Sequence, residues 1–212
     1  MSAPVLILGA GGHAKVLIEA LLASSAVIAG IVDPDPAMVG TKLLGVPVLG
    51  GDELVREFPQ AEILLVNGLG SVGLPLRRRE LFERFKEMGY GFATVIHPSA
   101  VVASDIELGE GAQLMAGAVV QPGSRIGSNV IVNTRASVDH DCIIGDHVHI
   151  APGVTLSGGV VVGDSCHIGT AATIIQGVRI GSGSVIGAGA LVLKDVPHSV
   201  TVVGVPAKVV KQ

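Results

Sequence analysis

Four of the seven histidines of this chain lie between residues 140 and 167, and one of them stands between two carboxylates. The segment reads Asp139-His140-Asp141, so either aspartate can hold one ring nitrogen of His140 and fix its tautomer. An imidazole with a pKa of about 6.5 that is oriented by a carboxylate is suited to general-base chemistry. The pattern therefore predicts that His140 is a catalytic base. The alternative is a surface histidine without a role.

A glycine-rich segment near the start of the chain has the composition of an anion-binding turn. An apolar stretch at residues 5–8 is followed by Gly9-Ala10-Gly11-Gly12-His13-Ala14-Lys15 and then by an amphipathic pattern. Such a strand, turn and helix point backbone N–H groups at a phosphate. Asp33 ends the second predicted strand, where an acid can meet a ribose hydroxyl or a base edge. The alternative is a tight turn that binds nothing.

The candidate base His140 lies within a repeat of six residues. Every sixth residue from Ile96 to Val192 is aliphatic, and a second ladder two positions earlier is small or β-branched. Neither an α-helix nor a straight strand requires a strict period of six. A chain that turns a corner every six residues does, and this is the hexapeptide repeat of a parallel β-helix.

Three such faces make one triangular coil, so residues eighteen apart stack about 4.8 Å apart. We expect His140 to project outside the prism, because a polar side chain inside would be costly. Gly158 lies one coil above His140 and is followed by Gly159, which predicts an open shelf beside the imidazole. His149 and His167 are predicted to stack, and His147 to lie on the surface.

Glycines recur every eighteen residues, as if along one edge of the prism, and we expect them to accept positive φ at a corner. They are Gly109, Gly127, Gly145, Gly163 and Gly181. The open ends of the stack need caps. We expect the N-terminal segment to cover one end and residues 201–208 to finish the other.

Composition and pattern divide the chain into two predicted domains. Residues 1–95 alternate strand and helix, which predicts a small α/β domain resembling half of a dinucleotide-binding fold. A nucleoside diphosphate suits that size better than NAD. Residues 96–212 form the predicted β-helix. The net charge of −4 and the lack of a basic stripe argue against nucleic-acid binding.

No stretch is long and apolar enough to insert in a membrane, and we see no basic segment typical of a signal peptide. The two cysteines, Cys142 and Cys166, lie on the small inward ladder and are predicted to be inert buried thiols, which fits a reducing cytoplasm.

The motifs together resemble those of the NeuD/PglD-like sugar acetyltransferases. The resemblance rests on the glycine turn at residues 9–15, on Asn133 seven residues before His140 and Asp141, on His149, and on Gly204-Val205-Pro206-Ala207-Lys208. It implies a left-handed β-helix, acetyl-CoA as co-substrate, no metal, and a homotrimer with active sites between subunits. The implied acceptor is the C4 amine of a nucleotide-linked 4-amino-4,6-dideoxy sugar such as bacillosamine or perosamine.

The resemblance also implies roles for individual residues. The implied catalytic residues are His140, Asp141 and Asn133. The implied contacts with acetyl-CoA are His149, Gly158, Gly159, His167, Thr170 and Ala188. The implied contacts with the nucleotide sugar are Gly9, Gly11, Gly12, His13, Lys15, Asp33 and Asn67. The segment at residues 67–70 differs from the shorter turn of the family, so the resemblance does not imply whether the nucleobase is uracil or guanine.

Three other functions fit the same pattern. An O-acetyltransferase would use the same residues on sialic acid or another sugar hydroxyl. A trimeric scaffold would bind a nucleotide sugar without turnover. A zinc hydratase similar to γ-class carbonic anhydrases would need a second histidine near His140, but the positions five before and five after it are Arg135 and Gly145. The zinc ligand set is therefore incomplete.

Overall fold

The computed structural model describes residues 3–211, and its N-terminal part is a six-stranded sheet with helices on both faces. The strands lie in the order β3-β4-β2-β1-β5-β6 and are parallel except for the β3–β4 pair. The elements are β1 (Val5–Leu8), α1 (Gly12–Ala23), β2 (Ile28–Val32), a 3₁₀ turn (Pro36–Met38), β3 (Lys42–Leu43), β4 (Val46–Gly50), a 3₁₀ helix (Asp52–Glu57), β5 (Leu64–Asn67), α2 (Leu76–Glu87) and β6 (Gly91–Phe92).

The central strand β1 is apolar throughout because both faces of the sheet are covered. Leu17 and Ile18 of α1 pack on one face, and Phe82 and Phe85 of α2 pack on the other. The chain leaves β1 toward β2 on one side, while β5 pairs on the other side. The carboxyl ends of β1 and β5 therefore flank the point where strand order reverses, which is where open α/β sheets bind ligands.

Two features of this domain differ from the sequence-based expectation. The β3–β4 hairpin was not predicted, because its turn places Leu44 at a position with φ of 48° before Gly45, where Asn or Asp would have been a clear signal. The sequence pattern also predicts one strand over about residues 90–96, whereas the structure has two. Gly91–Phe92 closes the N-terminal sheet, and Val95–Ile96 begins the β-helix.

From Val95 onward the chain winds as a triangular parallel β-helix, as the repeat predicts. Two-residue strands form three sheets, and each strand pairs with the one eighteen residues later. The last pair of the first face is the exception, since Val185–Ile186 pairs with the three-residue strand Thr201–Val203 at a spacing of sixteen. The first face holds Val95–Ile96, Gln113–Leu114, Ile131–Val132, His149–Ile150, His167–Ile168, Val185–Ile186 and Thr201–Val203. The second holds Val101–Val102, Val119–Val120, Ser137–Val138, Thr155–Leu156, Thr173–Ile174 and Leu191–Val192. The third holds Glu107–Leu108, Arg125–Ile126, Ile143–Ile144, Val161–Val162 and Arg179–Ile180.

The aliphatic ladder fills the prism from Leu114 to Val192, where every member is buried. The first coil is the exception, because Ile96 is 40 % exposed and Val102 and Leu108 are only partly buried. The expectation that the N-terminal segment caps this end is wrong: that domain packs beside the prism, against its first face. The C-terminal expectation is confirmed, since Val202 is buried and Ala207 packs against the interior.

The corners follow a rule that differs from the predicted one. From Gly111 to Gly189, the third residue of every four-residue turn has positive φ, whatever its type. These residues are Gly111, Gly117, Gly123, Asn129, Arg135, Asp141, His147, Gly153, Gly159, Ser165, Ala171, Gly177, Gly183 and Gly189. The glycines eighteen apart from Gly109 to Gly181 are not among them. A Cβ at any of those five would lie 2.6 Å or closer to the coil above, so they are glycines for lack of space.

We name the corners by the faces they join. The first corner lies between the first and second faces and includes Asn133. The second lies between the second and third faces and includes His140. The third returns to the first face and includes His147. No helix within residues 3–211 is long and apolar enough to cross a membrane.

Candidate active site

His140 stands outside the prism at the second corner, as predicted, with 54 % of its side chain exposed. Its ring Nδ1 lies 2.8 Å from Oδ2 of Asp141. Asp139 binds the backbone instead, since its Oδ1 accepts the N–H of His140 at 2.8 Å. Of the two aspartates that flank His140, Asp141 is therefore the one that orients the imidazole.

Two glycines on neighbouring coils make room for this pair. A Cβ at Gly158, one coil above, would lie 2.5 Å from both Cε1 and Nε2 of His140. A Cβ at Gly123, one coil below Asp141, would lie 2.5 Å from its Oδ1. The imidazole itself occupies the predicted open shelf over Gly158. The N–H of Gly159 also donates to the carbonyl of His140 at 2.8 Å, which holds the two coils in register.

The surroundings of His140 favour a base of moderate strength. The hydrogen bond that Nδ1 of His140 donates to Asp141 raises the pKa of His140 above its usual value. Partial desolvation acts against this shift, and the charges of Asp139 and Asp141 support it. Because Asp141 accepts the Nδ1 proton, the neutral ring carries its lone pair on Nε2. That atom lies over Gly158 on a half-exposed side chain and can accept a proton from a ligand.

A cleft of about 500 Å³ lies between the glycine turn and the first corner. It is lined by Gly12, His13, Val16, Gly70, Ser71, Val72, Asn133, Thr134, His149 and Pro152. It opens at the carboxyl ends of β1 and β5, where the strand order reverses. The predicted residues Gly12, His13, Asn133 and His149 thus meet in one cavity, which is of a size to hold a nucleotide sugar.

The glycine turn presents a bare helix N-terminus to this cleft. Gly9 has φ of 94°, and its N–H donates to the carbonyl of Val32 at 2.7 Å. Gly11 precedes α1 without a side-chain cap, and the first turn of the helix carries no acidic residue. Because a Cβ at Gly11 or Gly12 would meet nothing within 4 Å, the approach to the backbone is open. These features suit a phosphate group.

Asp33 supports this turn directly. Its Oδ2 accepts the N–H of Ala10 at 2.6 Å, and its Oδ1 accepts the N–H of Asp35 at 2.9 Å. The carboxylate thus holds the glycine turn against the end of β2. Lys15, which the resemblance implied as a contact with the nucleotide sugar, is exposed on α1.

Asn67 is a correction to the predicted substrate contacts. Its side chain is 1 % exposed and fully engaged: its Nδ2 donates to the carbonyl of Arg78 at 2.8 Å, and its Oδ1 accepts the N–H of Leu69 at 3.2 Å. Its carbonyl accepts Nε2 of Gln113 at 2.8 Å, and Oε1 of Gln113 lies 2.7 Å from Nε2 of His13. Asn67 therefore joins the two domains and positions His13 through Gln113.

Arg78 is the buried centre of the same interface. Its guanidinium donates to the carbonyls of Asn129, His147 and Val148 on the third corner. Burial lowers the pKa of Arg78 to about 9, so it stays a cation at neutral pH. Burial lowers the pKa of the histidines around it, which are His13, His147, His149 and His167, and the charge of Arg78 contributes to the same shift.

The remaining histidines are more buried than the sequence suggests. His147, predicted on the surface, packs edge-on against Phe82 with ring centroids 5.6 Å apart. His149 and His167 stack as predicted, with centroids 5.1 Å apart, and both lie under the N-terminal domain. Within residues 3–211, no group of three or more His, Cys, Asp or Glu side chains is placed to hold a metal ion.

Comparison with known proteins relates the whole chain to one family. Residues 4–85 match the PglD N-terminal domain, and residues 123–158 and 159–194 match the bacterial transferase hexapeptide repeat. The acetyltransferase domain of PglB from Neisseria gonorrhoeae FA1090, solved with acetyl coenzyme A, is 38 % identical, with 99 % of this chain and 100 % of that chain covered and a TM-score of 0.91. The chain belongs to the family of PglD-like sugar N-acetyltransferases.

Two further relatives agree with this assignment. PerB from Caulobacter crescentus, in complex with CoA and GDP-perosamine, is 41 % identical, with 99 % of this chain and 98 % of that chain covered and a TM-score of 0.90. A UDP-N-acetylbacillosamine N-acetyltransferase of Bacillus subtilis (strain 168) is 39 % identical over 115 residues, which span 53 % of this chain and 51 % of that protein. The comparisons confirm the predicted family and fold class.

In this PglD-like chain the predicted site residues are divided between two corners. Gly158 and Gly159 lie with His140 at the second corner, whereas Thr170 and Ala188 lie at the first corner, in the coils above Asn133. His140 is not among the residues that line the cleft. A single copy therefore does not bring the base to the cleft of its own N-terminal domain.

Sequence reasoning missed three residues that hold the PglD-like site together. From the sequence, Arg78 belongs to the basic cluster Arg77-Arg78-Arg79, which predicts a helix face or a small anion site. Gln113 stands at an outward position of the first face. It is buried, as is the neighbouring outward residue Ile131, because the N-terminal domain covers this face. Ser71 lies in the loop after β5 and contacts His149. None carries a local signal, because each depends on how the two domains pack.

Proposed function

We propose that the chain is an acetyl-CoA-dependent N-acetyltransferase that acts on the C4 amine of a nucleotide-linked 4-amino-4,6-dideoxy sugar. The observation that carries the proposal is the His140–Asp141 pair, in which Nδ1 is held by Asp141 and Nε2 lies over Gly158 on a half-exposed side chain. The relatives support it, since PerB was solved with CoA and GDP-perosamine, and histidine-to-asparagine and histidine-to-alanine variants of that enzyme were solved with the same two ligands.

The proposed reaction is direct attack. The sugar amine forms the N–C bond with the thioester carbonyl as His140 Nε2 takes its proton, and Asp141 stabilises the imidazolium. Backbone N–H groups stabilise the tetrahedral oxyanion. The intermediate then collapses, the C–S bond breaks, and the proton passes from His140 to the CoA thiolate. The buried Cys142 and Cys166 leave no exposed thiol for a covalent acetyl-enzyme.

We place the nucleotide sugar in the cleft beside the glycine turn. The diphosphate takes the open N-terminus of α1 at Gly11 and Gly12, and His13 and Asn133 line the path toward the sugar. Asp33 keeps this turn in shape.

The active site is proposed to form between copies of the chain in a homotrimer. His140 and the cleft lie on different corners, so a neighbour must bring its second corner to the cleft. Acetyl-CoA would then lie between Gly158 and Gly159 of one copy and Thr170 and Ala188 of the next. His149 and His167 support that wall from beneath the N-terminal domain.

The nucleotide end of CoA has a matching cavity. The column above His140 passes Gly158 and ends at Lys194, three coils and about 14 Å higher. There an apolar cavity of about 400 Å³ is lined by Val192, Pro206, Lys194 and Lys208, among others. Apolar walls suit the adenine ring of CoA, and the two lysines suit its phosphates.

We place the protein in the cytoplasm, where thiols stay reduced, because its two cysteines are unpaired.

A thiol-release assay tests the proposal with UDP-, GDP- and dTDP-linked 4-amino sugars and with free sialic acid. We expect turnover with an amino sugar, and a fall in kcat of about 10²–10⁴-fold for His140→Ala with little change in the KM for acetyl-CoA. The control is His97→Ala, since His97 is a corner histidine that only binds its own turn at Ser99. Turnover with sialic acid alone, or near-normal kcat in His140→Ala, would contradict the proposal.

A further inference from the structure

A line of hydrogen bonds runs along the wall of the cleft from one domain to the other. Ser71 Oγ lies 2.8 Å from His149 Nδ1, and His149 Nε2 lies 3.1 Å from Asn133 Nδ2. Asn133 Oδ1 then accepts the N–H of Thr134 at 2.8 Å and its hydroxyl at 3.3 Å. All four residues line the cleft.

The direction of each hydrogen bond follows from Thr134. A backbone N–H can only donate, so the Asn133 atom beside it must be the carbonyl oxygen. The amide group of Asn133 therefore faces His149 and donates to Nε2. A neutral imidazole has one N–H, which must then be on Nδ1, and it donates to Ser71 Oγ. One tautomer of His149 satisfies the whole line.

The surroundings of His149 keep it in this neutral form. Its side chain is 5 % exposed and lies edge-on to His167. Burial, together with the charges of His167, Arg78 and His13, lowers the pKa of His149 to about 3, although a backbone hydrogen bond with Ser71 acts in the opposite direction. No carboxylate faces it among the groups that act on its titration.

Ser71 is the one member of the line that the N-terminal domain supplies. It stands in the loop between β5 and α2, next to Val72, whose side chain is fully exposed at the edge of the cleft. Because Ser71 accepts from His149, its own hydroxyl hydrogen remains for a ligand, and no partner for it occurs among the described residues.

We propose that Ser71 is a positioning residue that fixes the tautomer of His149, aligns Asn133 through it, and offers its hydroxyl to the nucleotide sugar. The inference rests on the proposed function for its kinetic part. Its structural part, the tautomer, does not depend on turnover. Without the Ser71 oxygen the Nδ1 proton of His149 has no acceptor, and the opposite tautomer would set two N–H groups against each other at Asn133.

The test compares Ser71→Ala, Ser71→Thr and Val72→Ala. Val72→Ala is the matched control, because it changes the same loop and the same cleft without touching the hydrogen bonds. Long-range ¹H–¹⁵N NMR, with the signals assigned through His149→Gln, is expected to show Nδ1 protonated in the wild type, in Ser71→Thr and in Val72→Ala. We expect a mixture of tautomers in Ser71→Ala.

In the thiol-release assay, Ser71→Ala is expected to raise the KM for the nucleotide sugar about tenfold, which corresponds to one hydrogen bond lost to an unpaired buried group. The KM for acetyl-CoA should not change, and Ser71→Thr should restore the wild-type value. An unchanged tautomer in Ser71→Ala, or equal effects of alanine and threonine, overturns the inference. If the wild type transfers no acetyl group, the proposed function fails. The role of Ser71 is then still decided by the NMR spectra and by comparing how tightly the wild type and Ser71→Ala bind GDP and UDP.

Discussion

Gly158→Ala is expected to disable catalysis while leaving the fold intact. The new Cβ would lie 2.5 Å from Cε1 and Nε2 of His140, whereas ordinary contact begins at 3.4 Å. The imidazole must therefore move by about 1 Å, and a displacement of that size at a reacting atom can cost about 10²-fold in rate. Asp141 holds Nδ1 on the other side, so the ring has little freedom to swing away without losing that bond.

The fold should tolerate the same change. Gly158 does not have positive φ, so alanine fits its backbone, and the loss of glycine flexibility in the unfolded chain is worth about 0.4–1 kcal/mol of added stability. We expect kcat in the thiol-release assay to fall about 10²-fold. Thermal unfolding should stay at or slightly above the wild-type midpoint.

A double-mutant cycle isolates the cause. If Gly158→Ala acts only by displacing the ring, it should have no further effect in a His140→Ala background, because there is then no ring to displace. Losses that add in the double variant would instead show that Gly158 contributes by itself, for example through contact with acetyl-CoA. Near-normal kcat in Gly158→Ala alone would refute the geometric argument.

Three further outcomes are expected. Asp141→Asn removes the main cause that raises the pKa of His140, so the acidic limb of the kcat–pH profile should move to lower pH while kcat falls; an unmoved limb would contradict Asp141 as the orienting residue. Gly127→Ala should lower the unfolding free energy by about 1–3 kcal/mol in urea titrations, because its Cβ would press within 2.7 Å of the Gly145 backbone. The pKa of His149 is depressed to about 3 from an unfolded-state value of about 6.5, so its contribution to stability should be complete above about pH 6.5 and fall by roughly 1.4 kcal/mol per pH unit below it; urea titrations at several pH values should show a smaller slope for His149→Gln.

The fold was predictable because the hexapeptide repeat places an inward-facing aliphatic residue at every sixth position. Counting residues along the repeat predicts the inward ladder, the stacking of residues eighteen apart and the outward position of His140. The roles of the glycines did not follow, because a count cannot separate a residue that needs positive φ from one that lacks space for a Cβ. Asn129 and Asp141 take positive φ without being glycine, while Gly127 and Gly145 do not take it at all.

The candidate site was predictable only where its residues are local. The glycine turn and the Asp139–Asp141 segment each carry their own signal. The position of the N-terminal domain beside the prism was not predictable, and it decides which outward residues of the first face are buried. Asn67 was therefore taken for a ligand contact and His147 for a surface residue, although both lie in the interface between domains.

The His140–Asp141 pair shows how a candidate catalytic group fits into the regular repeat of the β-helix. At the second corner the third turn residue is glycine at positions 123, 159 and 177, but it is Asp141 in the coil that carries His140. A left-handed residue other than glycine costs roughly 1–2 kcal/mol, although aspartate is among the residues that accept it most readily. That position turns the Asp141 side chain toward Nδ1 of the residue before it. The glycines above and below leave both side chains the space they need. Residues from three successive coils thus determine the position of the His140 imidazole. Substitutions at Gly123 or Gly158 should therefore displace it as directly as a change in Asp141.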